Sequence, residues 1–265
     1  MPLGPFEREV LRLIAGQRNP ESYVAGATVL NQAPASPRTS EDIDVFHDSE
    51  IALAAAHAQD LAALRAHGFA VQVPMQTASF CRAIVARAGL STKIEWALDS
   101  VFRFFPTEPD AELGWRLNFW DAATNKMLAF VGRRVPRDFV DVLHLHDTRL
   151  HLGALAWAAS GKDPGLSPAF ILEQSRRTPL YPPEMLAPSA RLAAPGSFPE
   201  VRRRWLRVVE EAEALIAALP AQEFGCLYLD TIGQPVTPDP AAPDFAGLTR
   251  HYGSIRGAVP RIVEE

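Results

Sequence analysis

At 265 residues the chain is long enough to bury one large core or two modest ones. Its composition, 48% hydrophobic and 22% charged, is ordinary for a globular protein. A formal net charge of -5 gives no global basic field for gripping a long nucleic acid, so any such contact is confined to a local patch.

No run approaches the roughly 20 apolar residues of a membrane span. The start, Met1-Pro2-Leu3-Gly4-Pro5, lacks the charged head and apolar run of a secretory signal. Cys81 and Cys226 stand far apart without metal-ligand spacing. A cytoplasmic protein with two reduced thiols and no membrane partner is expected.

Phe6, Val10, Leu13 and Ile14 recur at helical spacing, so residues 6–15 read as a short amphipathic helix ended by Gly16 and Asn19-Pro20. Residues 23–30 are apolar and small, suited to a strand end or turn running into a buried helix. A proline-containing loop over 33–37 then delivers the chain into Ile43-Asp44-Val45-Phe46, a β-prone run. Ile51, Ala54, Ala55, Ala58, Leu61 and Leu64 predict a helix over 50–67 that stops at Gly68. A strand follows over 69–73, stopped by Pro74, and a helix over 77–88, stopped by Gly89.

Residues 91–101 alternate as a half-buried strand does. Lys93, Glu95, Ala97 and Asp99 fall on one face, with Ile94, Trp96 and Leu98 on the other. A second strand is predicted over 115–120. Beyond it come a helix over 122–132, one or two more within 136–160, and proline-rich loops within 164–199. The strongest helical stripe is Trp205, Val208, Val209, Ala212, Leu215, Ile216 and Leu219, followed by an extended, proline-rich stretch over 235–243. The fold class expected is α/β (α+β): an α/β core over 1–120 with a mixed sheet flanked by helices, then a mainly helical part with a proline-rich tail over 121–265.

The chemistry is concentrated in Arg38-Thr39-Ser40-Glu41-Asp42-Ile43-Asp44-Val45-Phe46. Asp42 and Asp44 lie two apart in a β-prone run, so both carboxylates point to one side while Ile43 and Val45 point into a core. Carboxylates so crowded repel unless a positive charge stands between them. A magnesium ion meets that need with hard-oxygen coordination and positions left for phosphate. Upstream, Ala25-Gly26-Ala27-Thr28-Val29-Leu30 forms a small-residue turn into a helix, which lets a phosphate approach backbone N–H groups.

Downstream come Asn125-Lys126-Met127-Leu128-Ala129-Phe130, then Arg133-Arg134, then Arg137-Asp138-Phe139-Val140-Asp141-Val142-Leu143. In order and spacing, residues 20–150 resemble the AbiEii/AbiGii toxin family of nucleotidyltransferases, within the polymerase-β-type superfamily. At the turn the chain departs from the family pattern, since Ala25 precedes Gly26 where a glycine usually leads. The resemblance implies that Asp42 and Asp44 bind Mg2+ or Mn2+ and that Gly26, Ala27, Arg38 and Ser40 contact the nucleotide. It implies that Lys126 neutralises phosphate charge, and that Asp138 acts as a base toward the acceptor hydroxyl or as an orienting group. The resemblance to polymerase-β-type enzymes also implies a third catalytic, metal-binding carboxylate on a later strand facing the pair; Glu95 is preferred for its depth in strand 91–101, with Asp99 as the alternative.

The implied partners are an NTP substrate, an RNA, tRNA or protein acceptor, and a cognate antitoxin. Two other readings compete. One is a degenerate nucleotidyltransferase fold that binds a nucleotide or protein without turnover. The other is a metal phosphohydrolase of the HD type, drawn from His144, His146, Asp147 and His151, which the spacing crowds on one helix.

Overall fold

A computed structural model describes residues 3–32, 42–133, 135–177 and 198–261. Its contacts divide the chain into two compact units, Met1–Val101 with Pro106–Ala122, and Phe102–Phe105 with Ala123–Glu265.

The first unit is built on α1 (Pro5–Ala15), β1 (Ser22–Val24), α2 (Gly26–Leu30), β2 (Asp42–His47) and α3 (Glu50–Ala66), then β3 (Ala70–Gln76), β4 (Phe80–Arg87) and β5 (Leu90–Leu98). The two-residue β6 (Phe102–Arg103) belongs to the second unit, and β7 (Glu108–Asp110) and β8 (Gly114–Arg116) return to the first. The sheet is mixed and seven-stranded, in the order β3-β4-β5-β2-β1-β8-β7. The β2–β5 and β1–β8 pairs are parallel; the others are antiparallel.

Alternation along the strands gives the sheet two unlike faces. Ile43, Val45, Ile94, Trp96, Cys81, Ala83 and Val85 are buried, and α1 and α3 pack on β2 and β5. On the opposite side stand Asp42, Asp44, Lys93, Glu95 and Arg82, all partly exposed. Ser49 starts α3, its Oγ accepting from the Ala52 N–H at 3.1 Å.

Three expectations are corrected here. Residues 77–88 are not a helix: they form a turn and the strand β4, joined to β5 through Ala88 and Gly89 at φ 53° and 81°. Successive positive φ angles make a tight hairpin turn, so Gly89 closes a hairpin and does not stop a helix. Pro74 lies inside β3, tolerated because β3 ends the sheet order and its register breaks between Gln72 and Met75. Over 115–120, only Trp115 and Arg116 are strand, as the end of β8, and a helix has begun by Phe119.

The second unit takes most of α4 (Phe119–Gly132) and all of α5 (Pro136–Thr148), α6 (Leu152–Ser160), α7 (Pro168–Arg177) and α8 (Phe198–Ala218). Trp205 on α8 is edge-on to Phe130 and Phe139, and its indole N–H donates to the Ser175 carbonyl at 2.9 Å. Among the described residues this part is not purely helical. Strands β9 (Leu227–Leu229) and β10 (Thr249–His251) pair, as do β11 (Ser254–Ile255) and β6. The proline-rich stretch is tied down where the Val236 N–H donates to the Tyr228 carbonyl at 2.9 Å. No described helix is long and apolar enough to cross a membrane.

Beneath the sheet lies a buried polar knot. Arg18 Nη2 meets both Asp60 oxygens at 2.6 and 2.7 Å, the Trp96 indole donates to Asp60 Oδ2 at 2.8 Å, and the His57 ring is edge-on to Trp96. His47, fully buried at the end of β2, has neither ring nitrogen at good hydrogen-bond geometry. Burial and then the Arg18 charge push its pKa down to about 4, which the nearby Ala97 backbone opposes too weakly to reverse. The unfolded chain therefore takes up this proton first as pH falls. Stability from a neutral His47 is complete above about pH 6.5 and is lost toward pH 4, by about 3 kcal/mol. Burial pushes the Asp60 carboxyl up to about 6, an effect of opposite sign over the same range that is common to both proteins, so the His47 contribution is read as a difference: urea titrations should show the wild type losing stability relative to His47→Leu as pH falls from 6.5 toward 4.

Candidate active site

Parallel pairing of β2 with β5 sets Asp42 beside Lys93 and Asp44 beside Glu95. Strand alternation then places all four side chains on the open face. Asp99 lies past the end of β5, its backbone N–H donating to the His47 carbonyl at 3.0 Å. Register thus brings Glu95 to the aspartate pair and leaves Asp99 beyond the strand.

Gly26 completes this corner. The Ala25 N–H donates to the Asp44 carbonyl at 2.9 Å, and Gly26 turns the chain with φ 64° into α2. A Cβ at Gly26 would lie 2.3 Å from Asp44 Oδ2. The glycine is required twice over, by its backbone angle and by the carboxylate against it. Ala27 is buried in the first turn of α2, and the Thr28 hydroxyl donates to the Asp42 carbonyl at 3.4 Å. Arg38 and Ser40 lie outside the described residues.

Two cations answer the carboxylates. Lys93 Nζ is 3.1 Å from Asp42 Oδ2 and 2.9 Å from Glu95 Oε1, and Arg82 Nη2 reaches the same Glu95 oxygen at 2.8 Å. Burial would lower the lysine pKa, but the hydrogen bonds to Glu95 and Asp42 outweigh it and hold the pKa above its ordinary value. The alternation that assigns Glu95 to this face assigns Lys93 there too, whereas Arg82 reaches it through the pairing of β4 with β5.

The donor set fits magnesium in a particular way. Among the described residues no three His, Cys, Asp or Glu side chains converge as they would around a fully protein-ligated ion. Asp42 and Asp44 offer hard oxygens from one strand, and magnesium is commonly held by one or two carboxylates with water and phosphate oxygens completing its shell.

The second unit holds the other predicted residues. Lys126 Nζ lies 2.8 Å from Asp138 Oδ1 and 3.1 Å from Asp141 Oδ2, with all three side chains almost completely buried. Arg133, half-exposed, adds bonds to both Asp138 oxygens at 2.8 and 3.2 Å. Burial would raise the Asp138 pKa, but the Arg133 hydrogen bond and the Lys126 charge prevail and hold it below the usual carboxylate range. Lys126 is thus a buried cation fixed between two carboxylates of α5, where a solvent-facing lysine was the ordinary expectation for a helix.

The histidine group is also corrected. His151 is not on the helix of His144 and His146; it caps α6, its Nδ1 accepting from the Gly153 N–H at 3.2 Å. His146 Nδ1 accepts from the Leu152 N–H at 3.1 Å, and Asp147 pairs with Arg204. Burial lowers the pKa of both imidazoles, which suits neutral acceptors. These residues fasten a helix junction, and the phosphohydrolase reading loses its geometry.

The fold is that of the nucleotidyltransferases. Among solved structures, MenT4, a nucleotidyltransferase toxin from Mycobacterium tuberculosis, superposes with a TM-score of 0.56 at 16% identity, covering 82% of this chain and 83% of that one. JHP933 from Helicobacter pylori gives a TM-score of 0.47 at 17% identity, over 82% of this chain and 96% of that one. No family model matches the sequence, and no curated protein matches it.

Gly26→Ala should destabilise the protein by about 2–4 kcal/mol, because the backbone angle and the Asp44 contact are lost together; thermal and urea melts measure this. Lys126→Met leaves two buried carboxylates without their shared cation. It should cost about 3–5 kcal/mol, with unfolding at markedly lower urea.

Proposed function

We propose that the chain is a metal-dependent nucleotidyltransferase that moves NMP from an NTP to an acceptor. One observation carries this reading: Asp42 and Asp44 share the open face of β2, with Gly26 pressed against Asp44 and Glu95 in register beside it. The fold shared with MenT4 supports it.

When bound, a magnesium or manganese ion supplies Lewis-acid stabilisation of the triphosphate charge. Asp42 and Asp44 would hold that ion and fix its place relative to the α-phosphate. Glu95, tethered by Lys93 and Arg82, would stand as the third carboxylate that orients the attacking hydroxyl. The Gly26 turn would let a phosphate oxygen approach the backbone where a side chain would bar it. Rate enhancement then comes chiefly from positioning and electrostatics, as is general for phosphoryl transfer.

Lys126 and Asp138 enter the proposal as a positioning network. Their mutual pairing fixes α4 against α5, with half-exposed Arg133 closing the set through Asp138. Assignment to the AbiEii-like toxin group, a cognate antitoxin and an RNA, tRNA or protein acceptor belongs to the same proposal. It is supported by the order of motifs and by a shared fold with a protein described as a nucleotidyltransferase toxin. A binding module without turnover is the second reading, favoured by one observation: Glu95 Oε1 is already engaged by two cations.

The test follows α-labelled NTPs into an RNA pool or protein acceptors with magnesium present. Asp42→Asn/Asp44→Asn should lower transfer by at least about 1,000-fold while leaving the melting temperature equal or higher, since like charges are removed. Undiminished transfer in that variant rules the assignment out. Tight NTP binding without pyrophosphate release in the wild type selects the binding module.

A further inference from the structure

We propose that Lys93 is a built-in counter-ion of the Asp42/Asp44 site, holding the carboxylates together before a divalent cation arrives and competing with that cation when it does. The inference rests on the metal-site reading above and adds a residue to which neither the motifs nor the fold assigned a role.

The geometry is specific. Lys93 is the direct β5 neighbour of Asp42, and its ammonium reaches one oxygen of Asp42 and one of Glu95, at 3.1 and 2.9 Å. Three carboxylates on one open face would otherwise repel, and the ammonium between two of them removes much of that cost. Arg82 binds Glu95 from β4, whereas Lys93 reaches an acid on each of the two parallel strands, Asp42 on β2 and Glu95 on β5.

The same placement sets up a competition. A magnesium ion bound through Asp42 Oδ2 would sit about 2.1 Å from that oxygen. The ammonium stands 3.1 Å from the same atom, so two positive charges would face each other within a few ångströms across a partly exposed site. A metal that takes this oxygen therefore displaces the lysine. Its flexible four-carbon stem permits this, and its side chain, about one-third exposed, already borders solvent. With a triphosphate present, the displaced ammonium has a new anion to meet, so metal and nucleotide are expected to bind more tightly together than separately.

The experiment measures Mn2+ binding to the full chain by loss of the free-ion electron paramagnetic resonance signal, alongside melting in EDTA and in Mn2+. It compares wild type, Lys93→Met, Lys93→Gln, Lys93→Arg and Asp42→Asn/Asp44→Asn. The proposal expects Lys93→Met and Lys93→Gln to bind Mn2+ about tenfold more tightly than wild type. They should melt lower than wild type in EDTA and recover most of the difference in Mn2+, while Lys93→Arg stays near wild type. Unchanged or weaker Mn2+ binding in the folded Met or Gln variant, with wild-type binding intact and lost in the carboxylate variant, overturns the counter-ion role alone. Failure of both neutral variants to fold even in Mn2+ also overturns it, since the lysine would then be structural. Mn2+ binding that is absent from the wild type and from both neutral variants alike, or that the carboxylate variant retains in full, overturns the metal-site reading, and this inference with it.

Discussion

Like charges crowded on one open sheet face are the condition around which the first unit is organised. Asp42, Asp44 and Glu95 come from two adjacent parallel strands, and parallel register leaves them no freedom to spread. Every neighbouring choice eases or exploits that crowding. Gly26 gives up its side chain so that Asp44 can lie against the backbone, and Lys93 and Arg82 supply positive charge. Helices α1 and α3 cover the other face, while the acids and their cations remain partly exposed. The apolar residues between the acids anchor them: Ile43 and Val45 are fully buried, so the carboxylates stand on a rigid strand.

The second unit handles buried charge by the opposite route. Lys126, Asp138 and Asp141 are withdrawn from water and satisfied mutually, with Arg133 closing the set at the surface. Such networks contribute little net stability over an apolar core, yet they penalise any arrangement that separates their members. Their value here is in fixing the mutual placement of α4 and α5.

Much of this was legible in the sequence, for identifiable reasons. The spacing of Asp42 and Asp44 within an apolar strand is a local pattern, and so is the alternation that aligned Glu95 with Lys93. That β5 pairs with β2, with β3 and β4 between them in sequence, is a long-range fact that no local pattern encodes, and this register is what puts Glu95 beside Asp44. The segment over 77–88 was misread because alanines favour helices and Gly89 resembles a helix stop. The alternation of Cys81, Ala83 and Val85 with Arg82 and Ile84 was present but overlooked. The burial of Lys126 was invisible for the same reason as the register: its partners are identified by tertiary packing, not by spacing. His151 was assigned to the wrong helix because a break at Arg149 carries neither glycine nor proline to announce it.

The margin of the sheet at β3 has a bearing on how other proteins approach this molecule. An edge strand normally offers a continuous row of backbone groups that an incoming strand can extend regardless of its sequence. Here Pro74 removes one donor and the pairing slips between Gln72 and Met75, so an added strand would lose its ladder midway. Extension of the sheet past β3 by a further strand is therefore disfavoured, whatever the sequence of that strand.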